Sequence, residues 1–275
     1  MLHQVIHLKE RFPFLAQNGC DPTLTVYVPR DHFDKTADRI RPAILICPGG
    51  GYHFVSKREA EPVALKFLGE GYNTFILTYS VKPNKFPTAI REVAAAMEII
   101  HENAEAWLTD PSRIAIMGFS AGGHLACHYS NCYDIPEIRE VFPESKPVQA
   151  AILSYPVITG DPVYRHKGSF VNLSGHDEPT EEDIEKFSLQ NRVTPNTPPT
   201  FLWATRTDQL VPVMNTLLYA QALADAEVPF AVHIYPFGKH GLSTGDALSN
   251  NELSVEAAHA GDWIEAAIKW LSLTF

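Results

Sequence analysis

Residues 118–122 read Gly118-Phe-Ser-Ala-Gly122, and this motif stands between an apolar run, Arg113-Ile-Ala-Ile-Met117, and a helix-compatible stretch. The flanks predict a strand, a sharp turn and a helix, with Ser120 at the apex of the turn. Glycines on both sides of the motif allow a strained backbone and a close approach of strand and helix. The pattern therefore predicts a serine whose hydroxyl points outward as a nucleophile.

Strand-like and helix-like segments alternate along most of the chain. Apolar runs predict buried strands at residues 43–47, 74–79, 113–117, 148–154, 200–205 and 230–235. Helices are predicted at residues 58–69, 88–107, 213–226 and 252–272, and an antiparallel edge strand at residues 26–28. Because this alternation is typical of parallel crossovers, we expect an α/β fold with a mostly parallel central sheet and helices on both faces.

The length and composition fit one domain. A chain of 275 residues with 45% apolar content can form a single hydrophobic core. We predict one domain over residues 1–275, with a small cap-like insertion at about residues 156–199 that interrupts the alternation. This segment carries prolines, glycines and a helical signal at residues 180–189. It is expected to roof a pocket above the carboxyl ends of the strands; the alternative is an ordinary surface loop with one helix.

Charge and composition exclude several classes of partner. The formal charge of −10 and the pI of about 5.6 disfavour binding to nucleic acid or to anionic membranes. The sequence has no apolar run long enough to span a membrane and no pattern of a secretory signal at its start. The four cysteines fit no metal spacing and predict reduced, buried thiols. We therefore expect a cytoplasmic protein that acts on a small neutral molecule.

The nucleophile needs a general base that is itself oriented by an acid. Asp208 follows the strand predicted to end at residue 205, and His240 follows the strand predicted to end at residue 235. Both positions are loops at the carboxyl ends of strands, where Ser120 is also expected. The order Ser, Asp, His along the chain is that of α/β-hydrolases. We predict that Ser120, Asp208 and His240 form a catalytic triad.

The other histidines fit the role of base less well. His124 and His128 are one helical turn apart, as a metal pair would be, but no motif such as HExxH accompanies them, and no metal is predicted. His233 lies within a predicted strand and could not reach the serine. His166 and His176 lie in the insertion, where surface exposure and contact with the substrate are the two alternatives.

Three aspartates compete with Asp208 for the role of orienting acid. Asp225 is expected on a helix, and Asp177 and Asp183 lie in the insertion. Asp208 is favoured because it alone of these follows a predicted strand directly.

A glycine run supplies candidate donors for an oxyanion. Pro48-Gly-Gly-Gly-Tyr52 follows an early strand, so its backbone is free of side-chain obstruction. We assign the oxyanion hole to the N–H groups of Gly50 and Gly51 and to that of Ala121, which follows the nucleophile. The alternative is a phosphate-binding loop, but the run lacks both the GK[ST] ending and the GxGxxG spacing, and no cofactor is predicted.

Several segments together resemble the α/β-hydrolases of the acetyl xylan esterase and hormone-sensitive-lipase-like kind, in particular bacterial xylan esterases and sugar esterases. The resemblance covers about residues 40–272 and is carried by residues 48–52, 55–64, 118–126, 197–201, 207–213 and 238–242. It implies a metal-free carboxylesterase that removes short acyl groups, typically acetyl, from a carbohydrate or another small alcohol. Ser120 would be the nucleophile, His240 the base and then the acid, and Asp208 its orienter.

One departure from the family pattern concerns the glycine run. The lipase-like HGGG motif begins here with Pro48, which removes a histidine that helps to order that loop. General esterase activity is therefore a firmer expectation than specificity for lipid chains. Acetylated xylo-oligosaccharides are the expected substrates. The alternatives are a serine amidase or peptidase on the same scaffold and a non-catalytic binding protein with a hydrolase fold.

Aromatic residues near the pocket and the closing helix indicate possible substrate contacts and an oligomeric state. Tyr52, His53, Phe119 and Tyr155 lie on segments near the predicted pocket mouth and are candidate substrate contacts, although aromatic residues there could equally be core. The closing helix carries an apolar face that suits a homodimer, whereas packing of this face against the sheet is the ordinary alternative. The acyl chain length, the alcohol and the preference for ester or amide stay open.

Overall fold

A twisted sheet of eight strands forms the centre of the computed structural model, which describes residues 1–16, 18–29 and 39–275. The order of the strands across the sheet is β1-β2-β4-β3-β5-β6-β7-β8. In chain order they are β1 (Leu2–His7), β2 (Thr23–Val28), β3 (Arg41–Cys47), β4 (Asn73–Thr78), β5 (Thr109–Phe119), β6 (Ala150–Ser154), β7 (Thr200–Thr205) and β8 (Phe230–Tyr235).

The strand directions confirm the predicted, mostly parallel sheet. β3 is parallel to β4 and β5, and the strands from β5 to β8 continue in parallel. β2 is antiparallel to both β1 and β4. The predicted edge strand at residues 26–28 is therefore the end of β2, which lies inside the sheet. The edge is formed by β1, which the sequence pattern missed because its residues are only partly covered.

Helices cover both faces of the sheet, as predicted. In the described part of the chain they are α1 (Leu8–Arg11), α2 (Glu61–Gly69), α3 (Thr88–Glu102), α4 (Ser120–Cys132), α5 (Pro136–Arg139), α6 (Lys167–Ser174), α7 (Glu181–Phe187), α8 (Met214–Asp225), α9 (Val255–Ala260) and α10 (Trp263–Thr274). Neighbouring residues of β3 show the two layers: Leu45 packs in the cluster that contains α3 and α4, and Ile46 in the cluster that contains α2 and α10.

Two helical segments differ from their predicted extents. The helix predicted at residues 88–107 ends at Glu102, and residues 103–108 form turns. The closing segment, predicted as one helix, is divided into α9 and α10 at Gly261, where an added Cβ would lie 2.9 Å from the carbonyl oxygen of Thr244. The break lets the segment around residue 244 pass close to the helices. The apolar face of α10 packs in the core, with Trp263 and Leu271 fully buried. The homodimer stays a prediction.

The insertion at residues 156–199 packs over the start of α4. Its backbone begins beside the nucleophile, where the N–H of Val157 donates to the carbonyl oxygen of Ser120 at 3.0 Å. The predicted helical signal corresponds to α7, which starts with a capping box between Thr180 and Asp183. Phe170 and Phe187, one from each helix of the insertion, are buried in the core. The insertion is therefore a packed part of the fold.

The sequence also predicted that the cysteines are buried and reduced and that the chain has no membrane-spanning segment. The four cysteines are free; Cys47, Cys127 and Cys132 are buried as predicted, and Cys20 is partly exposed. Within the described ranges, every helix is too short or too polar to cross a membrane. The cytoplasmic location stays a prediction.

Candidate active site

Ser120 lies at the junction of β5 and α4, in a strained backbone conformation. Its φ angle is 53°, in the left-handed region that a residue with a side chain seldom adopts. The turn is tight because Gly122 packs against the glycine run: an added Cβ would lie 2.1 Å from the carbonyl oxygen of Cys47 and 2.2 Å from that of Pro48. Any other residue at position 122 would push the nucleophile away from that run.

The structure brings Ser120, His240 and Asp208 into one chain of hydrogen bonds. Nε2 of His240 lies 2.8 Å from Oγ of Ser120, and Nδ1 of His240 lies 2.6 Å from Oδ2 of Asp208. Since a carboxylate can only accept a hydrogen bond, Nδ1 carries the hydrogen and donates it to Asp208, and Nε2 is left as the acceptor that can take the proton of the serine. The side chain of Asp208 is 1% exposed and that of His240 is 15% exposed. The pair is thus shielded while the imidazole still reaches the surface of the cavity.

Two further contacts keep Asp208 in place. Its Oδ1 accepts hydrogen bonds from the N–H groups of Leu210 at 2.8 Å and Val211 at 3.0 Å. Both oxygens of this carboxylate therefore have partners: Oδ1 accepts from the backbone of its own loop, and Oδ2 faces His240. The backbone bonds keep the acid from turning away when the imidazole becomes charged.

The loops after β7 and β8 are bonded to each other. The hydroxyls of Thr205 and Thr207 both donate to the carbonyl oxygen of Gly238, at 2.8 Å and 3.1 Å. The N–H of Gly238 in turn donates to the Thr207 hydroxyl at 2.9 Å. These bonds set the separation between Asp208 and His240, which are 32 residues apart in the chain.

The glycine loop, defined here as residues 48–52, passes directly beside the nucleophile. Gly50 and Gly51 have φ angles of 129° and 65° and line the same cavity as Ser120. The carbonyl oxygen of Gly50 accepts from the N–H groups of His53 and Phe54, which closes the loop. Within the described ranges, the N–H groups of Gly50 and Gly51 donate to no protein acceptor. The third predicted donor, Ala121, is buried in the first turn of α4.

A cavity of about 410 Å³ opens above the nucleophile. Of the four candidate substrate contacts, His53 lines this cavity, while Tyr52, Phe119 and Tyr155 are buried behind it. Phe119 packs on Trp263, with ring centroids 5.9 Å apart, because it is the last residue of β5 and points to the α2–α10 layer. The structure therefore places these three aromatic rings in the core, which was the other alternative.

His233, His176, Asp183 and Asp225 lie away from the cavity that contains the reacting hydroxyl. His233 is in β8 and stacks on Phe201, and Asp225 ends α8, where it accepts from Gln221. Asp183 caps α7 and lies 2.7 Å from Nδ1 of His176. Among the residues that the structure describes, no cluster of three or more histidine, cysteine or acidic side chains could hold a metal ion.

Several residues of the cavity wall were not singled out from the sequence. Phe54 and Leu210 are exposed apolar side chains at the cavity, and Asn172 of α6 donates to the carbonyl oxygen of Gly51 at 2.9 Å. His166 lines the cavity, and its Nδ1 lies 2.8 Å from the hydroxyl of Ser169. Burial, and then the neighbouring His240, lower the pKa of His166. His166 is therefore a half-buried residue of the cavity wall, and its contact with the substrate stays a prediction.

A solved structure with the same architecture defines the class of protein. The chain is 33% identical to an acetyl ester-xyloside bifunctional hydrolase from Caldicellulosiruptor lactoaceticus, with a TM-score of 0.82 over 98% of this chain and 96% of that one. A second solved structure, named an alpha/beta hydrolase enzyme from a Medee basin deep-sea metagenome, is 30% identical with a TM-score of 0.77, so the fold is that of the α/β-hydrolases, as the sequence resemblance implied. Residues 24–223 match the BD-FAE family model, and the chain belongs to the BD-FAE family.

Two sequence relatives are longer than this chain. It is 36% identical over 249 residues to an endo-1,4-beta-xylanase B of Butyrivibrio fibrisolvens, a match that covers 86% of this chain and 37% of the relative. It is 31% identical over 228 residues to an acetylxylan esterase of Xylanibacter ruminicola, which covers 82% of this chain and 45% of the relative. The chain thus spans less than half the length of these two relatives.

Proposed function

We propose that this protein is a serine carboxylesterase that hydrolyses short-chain esters, acetyl esters in particular, on small carbohydrates. The observation that carries the proposal is the chain of hydrogen bonds from Ser120 through His240 to Asp208 at the floor of an open cavity. Hydrolysis needs these three chemical groups in this order, and their geometry needs no movement before reaction.

In the proposed reaction, Oγ of Ser120 attacks the carbonyl carbon of the ester while Nε2 of His240 takes its proton. The negative charge then forms on the carbonyl oxygen, and we propose that it accepts hydrogen bonds from the N–H groups of Gly50, Gly51 and Ala121. His240 returns the proton to the leaving alkoxide, and an acyl-serine remains. Water attacks that acyl group with the same base and restores the serine. Asp208 stays ionised throughout and stabilises the imidazolium.

Names of relatives support the choice of substrate. One relative is named an acetylxylan esterase, another a xylanase, and a structural neighbour is named an acetyl ester-xyloside hydrolase. Polar side chains at the cavity, among them Arg58, His166 and Asn172, can hydrogen-bond to the hydroxyl groups of a sugar. We therefore propose acetylated xylo-oligosaccharides as substrates.

The experiment that tests the proposal compares the wild-type protein with Ser120→Ala. Both are assayed on p-nitrophenyl esters of increasing acyl length, on acetylated xylo-oligosaccharides and on matched amides. We expect the highest kcat/KM for acetyl, a loss of at least about a thousandfold in Ser120→Ala, and labelling of Ser120 alone by a fluorophosphonate. Turnover that survives in Ser120→Ala contradicts the mechanism, and faster cleavage of the amide moves the assignment to an amidase.

We further propose that residues 1–275 form one domain. The two hydrophobic clusters take residues from the same strands and lie on opposite faces of one sheet, so neither cluster can form without the sheet that they share. A single cooperative unfolding transition, seen at the same denaturant concentration by fluorescence and by circular dichroism, is the expected result.

A further inference from the structure

Glu59 is a buried carboxylate at the edge of the active-site cavity. It ends a single 3-10 turn, Lys57–Glu59, directly before α2, and is only 5% exposed. Its Oε2 accepts the N–H of Gly49 at 2.9 Å, and its Oε1 accepts the hydroxyl of Tyr155 at 2.7 Å. A carboxylate withdrawn from water needs such donors, and here they come from two parts of the chain that both border the site.

The first contact holds the glycine loop against the nucleophile. An added Cβ at Gly49 would lie 2.7 Å from Oε2 of Glu59 and 3.1 Å from Cβ of Ser120. The carboxylate thus occupies the space that a side chain at position 49 would fill. On the other side, the hydroxyl of Tyr79 donates to the carbonyl oxygen of Pro48 at 2.7 Å. The start of the glycine loop is therefore bonded from both sides, although the histidine of the HGGG pattern is absent.

The second contact reaches the histidine loop, defined here as residues 236–243. The hydroxyl of Tyr155 donates to Glu59 and accepts the N–H of Ser243 at 3.0 Å. The ring of Tyr155 packs against the ring of His240, with centroids 5.0 Å apart. The hydrogen-bonded path therefore runs from Gly49 through Glu59 and Tyr155 to the loop that carries the general base.

The residue before Glu59 strengthens the same link. Arg58 donates through its guanidinium to the carbonyl oxygen of Gly241, and its own carbonyl oxygen accepts the hydroxyl of Ser243 at 2.6 Å. Arg58 thus binds the histidine loop on both sides of position 242, while the adjacent Glu59 binds the glycine loop directly and reaches the histidine loop through Tyr155.

We propose that Glu59 is a positioning residue that keeps the glycine loop and the histidine loop in register around Ser120. The inference rests on the proposed hydrolytic function. In it, Glu59 orders the glycine loop in place of the histidine that the HGGG pattern has at position 48. A glutamine cannot make the same contacts, because one end of its amide would present N–H groups to another donor. A shift of about 1 Å in the donors or in the base lowers the rate by up to about a hundredfold.

The test compares Glu59→Gln with Glu61→Gln, a matched control two residues away. Glu61 also accepts a tyrosine hydroxyl, that of Tyr27 at 2.9 Å, but it does not line the cavity. With p-nitrophenyl acetate, we expect Glu59→Gln to lower kcat about ten- to a hundredfold and to change KM less than about threefold. Inhibition by phenylboronic acid, which forms a tetrahedral adduct with the serine, should weaken by the same factor as kcat. Glu61→Gln should leave all three values unchanged.

Each other outcome has a clear meaning. If Glu59→Gln retains the kcat of the control, or loses activity only in proportion to its unfolded fraction in a thermal melt, the positioning role is overturned. If this variant does not fold, Tyr155→Phe decides, because it cuts the link between Glu59 and Ser243: a wild-type kcat in that variant overturns the role. A wild-type protein without esterase turnover overturns the proposed function instead, whereas turnover that depends on Ser120 keeps that function whatever the Glu59 variants do.

Discussion

The hydroxyl of Tyr52 lies 2.9 Å from Nδ1 of His124, so a residue of the glycine loop is bonded to the helix that begins with the nucleophile. The other ring nitrogen, Nε2, lies 2.9 Å from the carbonyl oxygen of Phe187 in the insertion. Burial lowers the pKa of His124 to about 4, so the ring is neutral at pH 7. Because a carbonyl can only accept, Nε2 carries the proton and Nδ1 accepts from Tyr52. Three separate segments meet at this one histidine.

Tyr52→Phe tests this contact. We expect it to lower the free energy of unfolding by about 1–3 kcal/mol, since Nδ1 of His124 loses its donor in a buried site. KM should not change, because the side chain does not line the cavity. Urea unfolding measures the loss. Tyr235→Phe is the control, because the hydroxyl of Tyr235 forms no hydrogen bond within the described residues; an equal loss in both variants contradicts the expectation.

Asp208→Asn tests the orienting acid. The amide can still accept from the N–H groups of Leu210 and Val211, but its NH2 then faces Nδ1 of His240 and stabilises the wrong tautomer. We expect kcat to fall by about 10³–10⁴-fold, with an unchanged circular dichroism spectrum. Asp225→Asn, on an exposed helix end, should keep the wild-type kcat. If Asp208→Asn keeps the wild-type kcat, another residue is the orienting acid.

Glu92 predicts a pH dependence of stability that is independent of catalysis. It is fully buried and accepts the N–H of Ser80 at 2.6 Å, and burial raises its pKa to about 7. The folded protein therefore keeps a proton that the unfolded chain loses above pH 4.5, so stability from this group falls as the pH rises from about 4.5 to about 7 and is constant above that.

Glu92→Gln removes this titration. The free energy of unfolding of the variant, relative to that of the wild type, should rise by on the order of 3 kcal/mol between pH 4.5 and pH 8. Urea unfolding of both proteins at the two pH values measures the difference. If the difference in free energy of unfolding between the wild type and the variant does not vary with pH, the raised pKa of Glu92 is contradicted.

His166→Ala tests the cavity wall formed by the insertion. Because His166 lies at the cavity but does not bond to Ser120, we expect KM for acetylated xylo-oligosaccharides to rise about three- to tenfold, as for one lost hydrogen bond, while kcat is nearly unchanged. KM for p-nitrophenyl acetate should change less, since its alcohol is small. His176→Ala, an exposed change in the same insertion, is the control. If KM rises equally for both substrates, His166 does not recognise the alcohol part of the substrate.

The layer architecture was predictable because it follows from local patterns. Apolar runs separated by amphipathic helices require a sheet that is covered on both faces, and this sheet is observed. β1 was missed because a half-covered strand has little apolar signal. The break at Gly261 was missed because its cause is a contact with Thr244, far from it in the sequence.

Prediction of the site depended on topology. Residues that directly follow parallel strands meet at one edge of the sheet, so Ser120, Asp208 and His240 could be chosen from the sequence, and His240 lies within hydrogen-bond distance of each of the other two. The direction of a side chain at a strand end is set by tertiary packing, and Phe119 and Tyr155 therefore point into the core. Nothing local to residues 57–61 indicates that Glu59 turns inward, because its partners lie 10 and 96 residues away.

The amide of Asn172 and the N–H of Val157 fasten the insertion to the catalytic floor, at the carbonyl oxygens of Gly51 and Ser120. Exchange of residues 156–199 for a segment from another hydrolase would therefore remove a support of the backbone that forms the proposed oxyanion hole. A chimera that preserves an amide at position 172 can acquire a new alcohol preference and keep its turnover. A chimera without an amide at position 172 will change in both alcohol preference and turnover.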